Sequence, residues 1–199
     1  MEFRQFQNKL RKCRICKDVV GPPLVWGDKE AKIVHISQAP SRLAITSQKP
    51  YSDKSGEKLR RQWYQISDRV FYNPKNFYIT AIAHCFPGKD KKGADKKAPL
   101  VCAKTWLLKE ISYFRACEKT SSAYLEPKLF LVVGKQAAEF LFPGKSYQKL
   151  IFQDQTLNGI KCFVLPHPSP ANIKWFKDNP DFERKRLFEI RKEVHRVLT

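Results

Sequence analysis

Acidic side chains are scarce in this sequence: 19 Asp and Glu stand against 38 Lys and Arg, a formal charge of +19 with a pI near 9.8. That excess is more basic than solubility requires, and it predicts a polyanionic partner. Long apolar runs are also missing. No stretch approaches a membrane span, and the opening residues, MEFRQFQNKLRK, lack the apolar centre of a signal peptide. The expectation is an intracellular protein (cytoplasmic if prokaryotic) with no membrane partner. The basic residues are spread along the chain and interleaved with aromatics (Trp63, Tyr64, Trp175, Phe176), which fits nucleic acid better than a lipid surface. No repeat is visible, so one domain over residues 1–199 is the default, and 42% hydrophobic content is compatible with a core for it.

Four apolar, β-rich segments predict buried parallel strands: KIVHIS (32–37), FYITAIAHC (77–85), LFLVVG (129–134) and KCFVLPH (161–167). Helical patterns lie between them. Leu59, Trp63 and Ile66 share one face in SGEKLRRQWYQI; Leu100, Leu107, Ile111 and Phe114 share another over residues 99–115; KQAAEFLF follows Gly134. A last helix is expected near NPDFERKR, capped by Asn179 with Pro180 at its first position, its apolar face running Leu187, Ile190, Val194, Leu198. Alternating strands and helices predict an α/β fold. Residues 1–31 and 87–99 have loop composition.

Six cysteines in an intracellular chain are better read as ligands or buried thiols than as disulfides. Cys13 and Cys16 form a C-x-x-C, while Cys85 and Cys102 fall at the end of the second strand and the start of the next helix. Four converging thiolates would suit tetrahedral zinc or an iron-sulfur cluster, and a helix N-terminus favours the thiolate of Cys102. Silent core and surface thiols are the plain alternative. A thioredoxin-type C-x-x-C falls away, because this pair precedes every strand. Cys117 and Cys162 read as inert buried thiols.

The segment LPHPSPAN (165–172) places His167 between Pro166 and Pro168, with Pro170 beyond. Proline fixes φ and removes a donor, so the imidazole is held nearly still. Such a turn either ends a strand rigidly or presents a preorganised hydrogen-bond donor. The histidines His35, His84 and His195 read as ordinary strand or helix residues.

Taken in order, CRIC (13–16), ISQAPS (36–41), PYSDKSGEKLR (50–60), FYITAIAHCFPG (77–88), Cys102 and LPHPSPAN resemble the uracil-DNA glycosylase superfamily, from Cys13 to about residue 185. The likeness is greatest to its iron-sulfur branch, the fourth and fifth families. The resemblance implies a three-layer α/β/α sandwich with a short parallel sheet. It also implies a structural 4Fe-4S cluster on Cys13, Cys16, Cys85 and Cys102, with zinc the alternative, and residues 1–31 form the segment that carries two of these ligands. The activity it implies is hydrolysis of the bond between a damaged base and C1′ in DNA, initiating base excision repair by a monomer.

Residue by residue, the resemblance makes His167 the donor to the leaving base and Asp53 the group that positions water and balances the cationic sugar. Asp53 also stands where a helix N-cap would. Tyr51 is expected to stack the flipped base; Gln38, Ala39, Pro40 and Ala81 to line its pocket; and Ser169 to Ile173, with Asn172 among them, to lie against DNA. The fourth family carries Glu at the position of Gln38 and Asn at that of Ala81, whereas the fifth has Ala at the latter. The chain leans toward the fifth, which implies selectivity reaching beyond uracil to hypoxanthine or xanthine. A non-catalytic DNA-binding or repair-assembly module on the same fold is the competing expectation, and a zinc-bound, ribbon-like nucleic-acid binder is a further one.

Overall fold

The computed structural model describes residues 1–115 and 127–199. Its sheet has five strands: β1 (Ile33–Ser37), β2 (Phe77–Ala81), β3 (Leu129–Val133), β4 (Gln155–Leu157) and β5 (Ile160–Leu165), in the order β2-β1-β3-β5-β4. The pairs β1–β2, β1–β3 and β3–β5 are parallel. All residues of β1, β2 and β3 are buried, and β5 exposes only Lys161. Neighbouring side chains on a strand point to opposite faces, so unbroken burial requires cover on both. Helices supply it, and the fold is the expected α/β sandwich.

Four strands fall on the apolar runs: β1 and β3 are one residue shorter than expected, β2 stops at Ala81 instead of reaching Cys85, and β5 starts at Ile160 and ends at Leu165. The fifth, β4, was not expected from the sequence. It pairs antiparallel with β5 through Asn158 and Gly159, both at positive φ (52° and 80°), the Asn-Gly hairpin turn that matches strand twist. Asn158 Nδ2 also donates to the carbonyls of Ile111 (2.7 Å) and Phe114 (3.1 Å), which ties the turn to the end of a helix.

Other expectations need correction. Residues 1–31 are not all loop: Phe3–Arg11 is an α-helix that buries Phe3, Phe6, Gln7 and Leu10. These lie three and four apart, and the helix docks through Phe3 on Tyr78 and Phe6 on Trp106. Over 99–115, Leu107, Ile111 and Phe114 are buried, but Leu100 is 47% exposed because it opens the helix beyond the edge of the core. In the last helical stretch, Phe182–Arg186 then Leu187–Leu198, Val197 takes the buried place expected of Leu198. Asn179 does not cap it, since its side chain bonds Trp175 O and Gln148 Nε2 instead. Trp63 and Tyr64 are core residues, not nucleic-acid contacts, and Trp175 and Phe176 pack with Trp63 and Phe182. Cys117 lies outside the described residues.

The strand order also positions a site. The chain leaves β1 for β2 on one side and then crosses to β3 on the other, so the crevice beyond the carboxyl ends of β1 and β3 is a topological switch point, where ligands bind in open α/β sheets.

Candidate active site

A cavity of about 150 Å³ opens there. A space of that size accommodates one six-membered ring. Its walls come from the segment after β1 (Ser37, Ala39, Pro40), the end of β2 (Thr80, Ala81), the turn and helix start carrying Tyr51, Asp53 and Ser55, and the segment after β5 (His167, Ser169). Seven of the residues expected from the sequence therefore converge: Ala39, Pro40, Tyr51, Asp53, Ala81, His167 and Ser169. Gln38 and Asn172 do not line the cavity. Gln38 accepts from Ala83 N–H through its carbonyl (3.1 Å) and turns its amide toward Lys96 O (3.5 Å). Asn172 Nδ2 donates to His167 O (2.8 Å), so it fastens the proline-rich turn.

His167 is partly buried, and one contact decides its tautomer. Ser169 N–H donates to Nδ1 at 3.2 Å, so Nδ1 carries no proton. Burial holds the imidazole below its ordinary pKa, with the charges of Asp53 and Asp95 only partly opposing. At neutral pH the ring is uncharged and its proton resides on Nε2. The Ser169 contact thus holds one ring nitrogen as an acceptor and leaves the proton on the other.

Asp53 is an N-cap, with Oδ1 accepting from Gly56 N–H at 3.0 Å ahead of the helix Lys54–Glu57. Its Oδ2 accepts no hydrogen bond among the described residues, so capping uses half of the carboxylate. Tyr51 adopts φ 53°, rare for a residue with a side chain. Its carbonyl accepts from Arg60 Nη1 (2.6 Å) and Tyr72 Oη (3.2 Å), and its ring meets His35 edge-on at 5.0 Å. Arg60 is itself held by Asp68 at 3.0 Å. Ala81, at the end of β2, presents only a methyl group to the cavity.

A second cavity, of about 250 Å³, is lined by Cys13, Cys16, Cys85 and Cys102 together. The N-terminal helix delivers the first two, the segment after β2 the third, and the helix starting at Leu100 the fourth. Trp106 Nε1 donates to Cys13 Sγ (3.2 Å), and His84 Nδ1 lies 3.4 Å from Cys102 Sγ. Burial, then the charges of Cys102, Cys13 and Cys16, push the Cys85 thiol up to about 12. Cys162 is fully buried on β5, and burial raises its pKa.

Two lining residues with acid–base side chains escaped the sequence reading. Asp95 belongs to the lysine-rich stretch 87–99, which folds back as Lys96 N–H bonds Gly88 O (3.0 Å) and Lys89 pairs with Asp95 (3.6 Å); nothing in a solvated-looking loop signals that return. His84 touches both cavities, and its only signal was its place beside Cys85.

A mixed α/β sheet with a ring-sized pocket at its switch point, furnished with a neutral histidine and a carboxylate, defines a class of α/β protein that binds a small ligand beyond its strand ends. The family model of the uracil DNA glycosylase superfamily matches residues 24–191, and the chain belongs to that superfamily. The match includes Cys85 and Cys102 but begins after Cys13 and Cys16. No helix among the described residues is long and apolar enough to cross a membrane.

Proposed function

We propose that this protein is a monofunctional DNA glycosylase that excises uracil and so initiates base excision repair. The observation behind this reading is the neutral His167, its Nε2–H available, in one cavity with Asp53 and Tyr51. A base within a duplex is unreachable, so the nucleotide must flip into the pocket, where Tyr51 stacks it. As the bond from the base nitrogen to C1′ breaks, its electron pair enters the base and negative charge gathers on O2. His167 Nε2–H donates to that oxygen from a turn that need not reorganise. The sugar becomes oxocarbenium-like, and the uncapped oxygen of Asp53 balances it and takes a proton from the water that adds to C1′. An abasic site and the base anion result; Asp53 then releases its proton to solvent, and the anion takes one up from solvent to give the free base. Ser169 to Ile173 face the DNA, with Ile173 62% exposed beside them.

Ala81 favours a wider scope within the same class. A methyl group cannot read a base edge, which is the observation favouring scope beyond uracil; hypoxanthine and xanthine carry a second ring, so their excision requires the cavity to extend beyond its about 150 Å³. The test is a glycosylase assay on uracil, hypoxanthine, xanthine and mismatched duplexes with the parent, His167→Ala and Asp53→Asn. Both variants should bind substrate duplex nearly as well as the parent, while single-turnover cleavage falls about a hundredfold or more. Asn caps helices about as well as Asp, so a fully active Asp53→Asn enzyme would restrict that residue to capping. A parent inactive on every base would leave a DNA-binding module.

The chain's own residues also fit a 4Fe-4S cluster on Cys13, Cys16, Cys85 and Cys102: four thiols share a cavity, and two of them receive or adjoin N–H donors. When bound, the cluster supplies a cross-link between the N-terminal segment and the core. Anaerobically purified protein should be brown and contain iron and sulfide, whereas stoichiometric zinc without iron would overturn this assignment.

A further inference from the structure

Between the two cavities lies a buried polar chain that base excision does not use. Glu110, 1% exposed, accepts from Tyr78 Oη at Oε1 (2.5 Å) and from Thr80 Oγ1 at Oε2 (2.8 Å). His84, 2% exposed, brings Nε2 to the same Oε2 at 2.7 Å and Nδ1 to Cys102 Sγ at 3.4 Å. Tyr78 and Thr80 are β2 residues, and Glu110 comes from the helix Leu108–Ser112. A carboxylate offers only acceptors, so Nε2 donates to Glu110. With the cluster held, the Cys102 thiolate would also only accept, so Nδ1 would donate to it and the ring, donating from both nitrogens, would be imidazolium.

We infer that Glu110 and His84 form a strut that positions the Cys102 sulfur and tunes the cluster through an N–H···S bond, while fastening the cluster site to the floor of the base pocket. This rests on the cluster assignment above. Thr80 and His84 line the base pocket, and His84 lines the cysteine cavity as well, so the strut is the shared wall of the two. Hydrogen bonds to cluster sulfurs raise the reduction potential, and partners that orient metal ligands typically contribute about 10- to 100-fold in metal affinity. His84 and Glu110 are thus positioning residues, remote from the reacting bond.

The test uses cluster-loaded, full-length protein. His84→Phe should move the cluster's midpoint potential to more negative values and speed iron release to a chelator about 10- to 100-fold. Glu110→Gln, which retains a hydrogen-bonding group but removes the charge that aligns the ring, should shift both readouts in the same direction by less. If His84→Phe fails to fold, His84→Gln provides the same measurements. A residue that merely filled space would lower thermal stability and leave the potential unmoved. A parent that binds no iron would remove the cluster assignment and this inference with it. A brown parent whose variants keep its potential and release rate would overturn the inference alone.

Discussion

His35 sits wholly inside β1, its Nε2 3.1 Å from Tyr64 Oη and its ring edge-on to Tyr51. Burial, with a smaller effect of His167 nearby, lowers its pKa from 6.5 to about 3. The sign follows directly. Between those two values the unfolded chain binds a proton that the folded chain refuses, so this residue's contribution is fully present above about pH 6.5 and is lost as pH falls toward 3. The span corresponds to something on the order of 5 kcal/mol. Urea unfolding at pH 7 and at pH 4.5 should show a marked loss in the parent. His35→Gln offers Tyr64 a polar neighbour with no proton to gain, and should lose less. Equal acid losses in both would place the sensitivity in carboxylates such as Asp68 and Asp154, whose ion pairs with arginine hold their pKa values down.

At the scale of elements, the helix after Tyr51 shows packing overruling propensity. Lys54–Glu57 runs into a π-helical stretch, Lys58–Tyr64, with more residues per turn than an α-helix. The wider turn buries Leu59, Arg60, Trp63 and Tyr64 together, where a 3.6-residue period predicted Leu59, Trp63 and Ile66. Arg60 thereby reaches the Tyr51 carbonyl. Gly56 permits this arrangement, since a Cβ there would lie 1.9 Å from Tyr51 O. Propensity alone says Gly56→Ala should stabilise the helix by about 1 kcal/mol. The expected result is the reverse: a loss of about 1–3 kcal/mol in denaturant unfolding, as overpacking displaces Tyr51, together with weaker capture of a flipped base. Unchanged stability and unchanged substrate affinity in Gly56→Ala would show that the Tyr51 turn tolerates displacement.

For the whole molecule, the charge of +19 is what the proposed DNA partner would meet at long range. Each phosphate neutralised releases a counterion, so affinity should fall steeply with salt. Anisotropy titrations with a labelled duplex between about 50 and 200 mM salt should show losses of about 1,000-fold or more if six or more phosphates are engaged. A flat salt dependence would assign the basic surface to another partner.

Much of the sheet was legible in order, because a strand buried on both faces must be apolar throughout; KIVHIS and LFLVVG admit few other readings. The rigid turn around His167 was legible too, since proline acts locally on its own φ and its neighbour's freedom. The Phe3, Phe6, Leu10 stripe and the Asn158–Gly159 hairpin were equally local signals, present in the sequence although the loop composition around the first of them obscured it. What remained out of reach depends on distant segments meeting. Asp95 enters the pocket only because its loop folds back on Gly88, and His84 becomes a shared wall only because Glu110, 26 residues away, meets it beneath β2. The tautomer of His167 rests on one backbone N–H two residues on, in a geometry that residue identity alone does not specify. Local conformation and burial pattern are properties of short segments and were determined by the sequence itself. Which donors face which acceptors across the core is set by chain crossings, and only the tertiary structure decided it.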